Sequence, residues 1–251
     1  MPASPGTSEG VSNIGIVGKS VLLVEDYAVN QLIFAAYLRR AGCKIEIANH
    51  GREGVELFLA GEFDVVIRDM QMPVLDGWSA TKEIRALERA NIWPQTPIIA
   101  LTASASNEDR ELCREAGCTA LLTKPLALSE LLEAVRKHGT LPVDAALSSN
   151  KASSEEPLDP EVQSLLPIAL RDLRQRAEAI WKSLASDAFE EIGRCGHQLV
   201  GVGTVVGGPS ISDLGRALEE AAAKRERTKV NELVPALEER TTALQRFSLD
   251  L

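Results

Sequence analysis

The chain has 251 residues, 45% of them hydrophobic and only 4% aromatic, with a formal net charge of −9. That length fits one large domain or two small ones, with cores of mostly Leu, Val, Ile and Ala. The acidic balance argues against a general nucleic-acid binder, which needs Lys and Arg to displace counterions from phosphates. No apolar run approaches the ~18 residues of a membrane span. The first residues lack the basic region and apolar core of a signal peptide, so a cytoplasmic protein without membrane insertion is expected. Cys43, Cys113, Cys118 and Cys195 match no zinc spacing and read as reduced, buried thiols.

Residues 1–18 are rich in Ser, Gly and Pro and read as a loose tail. An apolar strand at 21–24 ends in Glu25 and Asp26. Helical spacing over 27–40 stops at Gly42. A strand at 44–48 and a helix at 51–60 follow, then a buried strand at 63–67 that leads to Asp69. A helix at 77–90 precedes a strand at 97–101, which runs into Thr102. Asn107 is the expected cap of a helix ending near Gly117. A fifth strand at 119–122 closes on Thr123-Lys124-Pro125, and a last helix, with Ser129 in its first turn, reaches His138. This alternation predicts a parallel sheet with helices on both faces, occupying 19–139. Ser, Pro and Glu gather over 140–160, which reads as a linker. Helical periodicity then holds over about 161–185, 187–204, 209–225 and 229–247, so 161–251 is expected to be an antiparallel four-helix bundle. The fold class is α/β followed by all-α.

Ligands of an open parallel sheet bind beyond the carboxyl edge of its strands. Polar residues stand there: Glu25 and Asp26, Asp69, Thr102 and Lys124. Three clustered carboxylates repel one another unless a cation neutralises them. A hard divalent ion such as Mg²⁺ suits them, and Lys124 adds a further charge. Such a pocket fits an incoming phosphoryl group attacked by a carboxylate.

The segments VLLVED, RDMQMPVLDGW, IIALTA and LLTKPL, in that order and spacing, resemble the response-regulator receiver family over about 20–138. The resemblance implies a doubly wound (βα)5, flavodoxin-like sheet of order 2-1-3-4-5 with Asp69 as phosphoacceptor. It implies Mg²⁺ on Glu25, Asp26, Asp69 and the backbone carbonyl of Gln71. Lys124 would contact the phosphoryl oxygens, and Thr102 would move to them once Asp69 is modified. Pro73, Asp76 and Gly77 would shape the loop after the third strand. Leu121 departs from the family, which often has an aromatic switch residue three positions before the lysine. Coupling of phosphorylation to the output surface is therefore expected to be weaker or different.

His50 and His138 read as plain surface residues. His197 differs, because Gly193, Gly196, Gly201 and Gly203 surround it. Glycine inside a helix costs roughly 1 kcal/mol relative to alanine. Either the stripped face lets another protein approach His197, or the glycines let helices pack closely. HQLVGVGTVVGG followed by ISDLGRALEEAA resembles histidine-phosphotransfer (Hpt) domains over about 161–247. This implies that His197, exposed on a bundle face, carries a phosphoryl group to or from a receiver aspartate without ATP chemistry. Val200 stands where the family usually has lysine. Arg194, three residues before His197, is the candidate substitute. The fragment from Gly15 to Ser20 hints at a P-loop, but position 13 is Asn13 and the strand follows instead of preceding it.

Together these features describe a phosphorelay protein that is not a conventional enzyme. Its expected partners are a sensor histidine kinase, another receiver or an Hpt protein, and no nucleic acid. The alternative is a receiver-regulated binding module, whose helical part holds a kinase or receiver without transferring phosphate. Val200 motivates that alternative.

Overall fold

In the computed structural model, the described residues are 16–103, 106–138, 160–203 and 209–249. The predicted tail lies outside them up to residue 15, as does the predicted linker up to residue 159.

Strands β1 (Ser20–Val24), β2 (Lys44–Ala48), β3 (Val65–Asp69), β4 (Ile98–Thr102) and β5 (Ala120–Thr123) form one parallel sheet ordered β2-β1-β3-β4-β5. Helices α1 (Ala28–Arg40), α2 (Gly51–Ala60), α3 (Gly77–Asn91), α4 (Asn107–Ala116) and α5 (Leu128–His138) alternate with them. The expected class and strand order are both observed. β3 and β4 are buried along their whole length, because helices cover both faces of the sheet. The edge strand β2 alternates instead, with Lys44 and Glu46 exposed.

Local chemistry moved several expected boundaries. The third strand starts at Val65, not residue 63, because the Asp64 carboxylate accepts the Ser20 N–H at 2.7 Å and ends the preceding loop there. Pro97 has no N–H to give the ladder, so β4 begins at Ile98. Ser106, not Asn107, caps α4: its hydroxyl accepts the Asp109 N–H at 3.0 Å, and the Asp109 carboxylate accepts the Ser106 N–H at 3.2 Å. His50 has a structural task, since its Nδ1 accepts the Glu53 N–H at 3.1 Å and caps α2.

Helices α6 (Pro160–Ala185), α7 (Phe189–Gly203), α8 (Pro209–Ala223) and α9 (Arg227–Leu249) make the second unit. α6 packs on α7 and α9, and α8 packs on the same two, which closes a four-helix ring. The tightest crossing joins α7 to α8. A methyl group on Gly196 would sit 2.7 Å from the Gly215 carbonyl oxygen, and one on Gly215 would sit 2.6 Å from that of Gly196.

One sheet face packs Leu22, Val24, Val66 and Ile98 against Val55, Phe58, Ala80 and Ile84. The other packs Leu23, Ile67 and Leu101 against Ile33, Phe34, Leu131 and Val135. This second cluster continues without a break into Leu170, Leu173, Ala177 and Leu199 of the bundle. The bundle docks through α6, and to a smaller extent α7, on α1 of the α/β unit.

Candidate functional site

Parallel register gathers the five predicted residues. Val24 lies beside Arg68, Asp69 beside Leu101, and Thr102 beside Thr123, so the residues at and after these strand ends share one edge. Asp69 is completely buried there. Lys124 Nζ lies 2.6 Å from Asp69 Oδ2 and 3.2 Å from Glu25 Oε2. The Gln71 N–H donates to Asp69 Oδ1 at 3.2 Å, and Asn30 Nδ2 donates to Glu25 Oε1 at 3.1 Å. Thr102 is buried beside them, and its carbonyl accepts the Lys124 N–H at 2.6 Å.

The donor set suits a hard cation. One oxygen from each of Glu25, Asp26 and Asp69 lies within 4.8 Å of the others. Asp26 Oδ1 is buried and has no hydrogen-bond partner. Burial pushes the Glu25 carboxyl up to about 7 against the pull of Lys124, and burial followed by the Asp69 charge raises Asp26. Burial alone would raise Asp69 as well, but Lys124 and His197 hold it well below the usual carboxylate range. Asp69 therefore stays an anion, and the pocket holds more carboxylate charge than its one lysine cancels.

His197 enters this same pocket from α7. Its Nε2 lies 3.3 Å from Asp69 Oδ2, and only 5% of the residue is exposed. The expectation of a histidine exposed on the bundle face is corrected: the carboxyl edge of the sheet covers it. Burial would lower the His197 pKa, but the Asp69 charge raises it to about 9. Nδ1 lies 3.6 Å from Glu219 Oε1 of α8. One turn beyond His197, a methyl group on Gly201 would collide with the Asn30 side chain of α1. Gly196 serves helix packing, the second of the offered reasons, and Gly201 makes room for the α/β unit of the same chain.

The departure at Val200 is not made up for by Arg194. Val200 is fully buried in the bundle under α8, where the Ser212 hydroxyl donates to its carbonyl at 2.9 Å. Arg194 does not reach His197; it is half exposed and pairs with Glu191 on its own helix. Lys124, from the sheet, is the cation beside the His197–Asp69 pair.

Sequence reasoning missed the residues that hold the units together. Gln198 Nε2 donates to Asp26 Oδ2 at 3.4 Å, and its Oε1 accepts from Arg176 of α6. Arg176 Nε donates to Asp172 Oδ2 at 2.7 Å and to the Tyr27 hydroxyl at 3.0 Å, and its guanidinium lies 4.0 Å from the centroid of the Tyr27 ring. The Tyr27 hydroxyl donates to Asp172. Arg216 of α8 donates to the Lys124 carbonyl at 3.3 Å. Adjacency to His197 could have flagged Gln198. Nothing in the local pattern marks Tyr27 or Arg176.

Residues 21–136 match the response regulator receiver domain, and residues 164–247 match the Hpt domain. The chain is 36% identical over 129 residues to hybrid signal transduction histidine kinase B of Dictyostelium discoideum, covering 48% of this chain and 7% of that protein. An oxidative stress response two-component system protein of Candida albicans is 35% identical over 149 residues, covering 49% of this chain and 22% of that protein. The chain thus spans only a small part of these relatives. Among solved structures, a chain from the co-crystal of the Saccharomyces cerevisiae phosphotransfer protein Ypd1 with the Ssk1 receiver domain shows 35% identity and a TM-score of 0.47, with 49% and 90% of the two chains covered. The receiver domain of a Pseudomonas aeruginosa sensor histidine kinase, solved with magnesium in its active-site cleft, shows 40% identity and a TM-score of 0.45, with 49% and 98% covered. The chain belongs to the two-component phosphorelay family, as a receiver domain followed by an Hpt domain. Among the described residues, no helix is long and apolar enough to cross a membrane.

Proposed function

We propose that Asp69 and His197 exchange a phosphoryl group within this chain, and that the docked arrangement is the resting form of that pair. The 3.3 Å approach of His197 Nε2 to Asp69 Oδ2 carries this reading. It puts the two acceptor atoms face to face, the proximity that transfer between them requires. A phosphorus atom does not fit between atoms at that separation, so the pair parts when either residue is loaded. The receiver comprises 19–139 and the Hpt domain 161–251, joined by the linker 140–160.

Mg²⁺ fits the carboxylates of Glu25, Asp26 and Asp69 together with the Gln71 carbonyl, and when bound it supplies positive charge to the phosphoryl oxygens. Asp69, kept ionised by Lys124, is the nucleophile. Lys124 pairs with the incoming oxygens, and the Thr102 hydroxyl donates to them. For His197 to attack, Nε2 must be free of its proton, so the proton rests on Nδ1 on the Glu219 side. Neither matched family performs ATP chemistry. The phosphoryl group therefore originates outside these two domains, on the phosphohistidine of a sensor kinase, and leaves to another receiver or Hpt protein. Both acceptors are buried, so exchange with an outside partner requires the docked domains to separate. The close His197–Asp69 contact disfavours a bundle that only binds.

The test is labelling by a radioactive small phosphodonor with Mg²⁺, in wild type, Asp69→Ala and His197→Ala. Acid-stable and base-stable label separate aspartyl from histidyl phosphate. Label is expected on both residues, with the histidyl fraction lost in Asp69→Ala. Aspartyl label alone, even when a separate phosphorylated receiver is supplied, would refute the proposal.

A further inference from the structure

The receiver carries a pair of cysteines at the end of helix α4. Helix α4 ends in a left-handed Gly117 with φ +87°. The Gly117 and Cys118 N–H groups both donate to the Cys113 carbonyl, at 3.2 and 2.9 Å. The second of these is the six-to-one bond of a Schellman cap, a turn that brings the side chains at its two ends into contact. Here both ends are cysteine. Both cysteines join one small apolar cluster with Met70, Ala100 and Leu121, and the Cys113 thiol points to the Ala120 carbonyl at 4.0 Å. Cys113 is buried while Cys118 is partly exposed as a residue.

A buried cation lies beside them. Arg68 is completely buried, and its Nε and Nη2 have no hydrogen-bond partner. Unpaired guanidinium nitrogens in an apolar interior are costly unless an anion answers them. Cys113 first, with Thr81, Arg85 and Arg68, lowers Cys118 below the usual thiol range against its own burial, and Cys113 is raised in return, whereas burial raises Cys43 and Cys195. Low thiol pKa together with partial exposure selects the cysteines that react.

We infer that Cys113 and Cys118 form a peroxide-oxidisable dithiol that closes to a disulfide within the receiver domain. The Cys118 thiolate attacks one oxygen of hydrogen peroxide and the O–O bond breaks. Sulfur is oxidised to sulfenic acid, and the other oxygen leaves as hydroxide, which takes up the proton Cys118 had released. Cys113 then gives up its proton and attacks the sulfenic sulfur. The S–O bond breaks, and the departing hydroxide takes that proton as water. In sum, two thiols and one peroxide give one disulfide and two waters. The pair shares its apolar cluster with Leu121 and Met70, so closure ties the last turn of α4 to the head of β5 behind Asp69.

The test uses the reduced full-length chain, treated with hydrogen peroxide, quenched, unfolded and alkylated. Trypsin cuts after Arg114, between the two cysteines, so the disulfide joins two peptides. Cys113 and Cys118 are expected to disappear together, at least tenfold faster than Cys43 or Cys195, with the linked peptide appearing. Cys113→Ser should leave a sulfenic acid on Cys118 that dimedone traps. Oxidation of all four cysteines at similar rates, or a bond found only between chains, would overturn the inference, and the wild-type map decides this even if the variant misfolds.

Discussion

Two glycines five residues apart show how one residue type does two jobs on the helix that carries His197. Gly196 lies against the backbone of α8, which cannot retreat from an added methyl group. Gly196→Ala is therefore expected to destabilise the protein by about 1–3 kcal/mol, the usual cost of overpacking, read as a lower urea midpoint. Gly201 lies against the end of the Asn30 side chain, which can turn away. Turning it breaks the 3.1 Å bond to Glu25, and hydrogen bonds to charged groups contribute about 1.5–3 kcal/mol. Gly201→Ala should lower the urea midpoint by a comparable amount and, unlike Gly196→Ala, slow transfer between Asp69 and His197 about tenfold. Equal effects of the two changes on transfer would mean that both glycines serve only packing. The sequence showed that the glycines near His197 needed a reason, but not which reason belonged to which position. That assignment depends on what faces each residue across space.

At the scale of elements, nearly every helix and strand was legible, because burial imposes a period of two or 3.6 on the apolar residues. The errors fell at ends, where side-chain hydrogen bonds decide. Ser106 displaced Asn107 as a cap, and Asp64 delayed the third strand. The catalytic edge was legible for another reason. Parallel strands end together, so residues at successive strand ends become neighbours. The contact of α6 with α1 left no such trace. It depends on Arg176, which touches Tyr27, Asp172 and Gln198 at once. Removing it with Arg176→Ala leaves the Tyr27 ring and Gln198 without their cation. The docked form should lose on the order of tenfold in population, since each hydrogen bond to a charged group contributes about 1.5–3 kcal/mol. The measurement is the rate at which diethyl pyrocarbonate modifies His197, now shielded to 5% exposure. A roughly tenfold faster reaction is expected. A rate equal to wild type would show that the apolar contact between the domains holds them without the arginine.

For the whole molecule, the sequence disclosed both domains and their order, yet left open whether they meet. Periodicity reports the face that an element buries, not the partner that covers it. The apolar cluster running from the sheet through α1 into α6 and α7 supplies that partner, and it brings Asp69 to His197. A linker of about 20 residues keeps the two at an effective concentration near the millimolar range, far above ordinary protein concentrations. Transfer inside one chain should therefore outrun transfer between chains by roughly a thousandfold at about 1 µM. Mixing full-length Asp69→Ala with full-length His197→Ala tests this, because each chain retains one acceptor and both must open before the acceptors meet. Histidyl label in the mixture is expected to form at least a hundredfold more slowly than in wild type at the same concentration. It should rise in proportion to concentration, while the wild-type rate stays constant on dilution. A mixture as fast as wild type, or a wild-type rate that falls on dilution, would place the exchange between chains and make the docked contact a resting arrangement only.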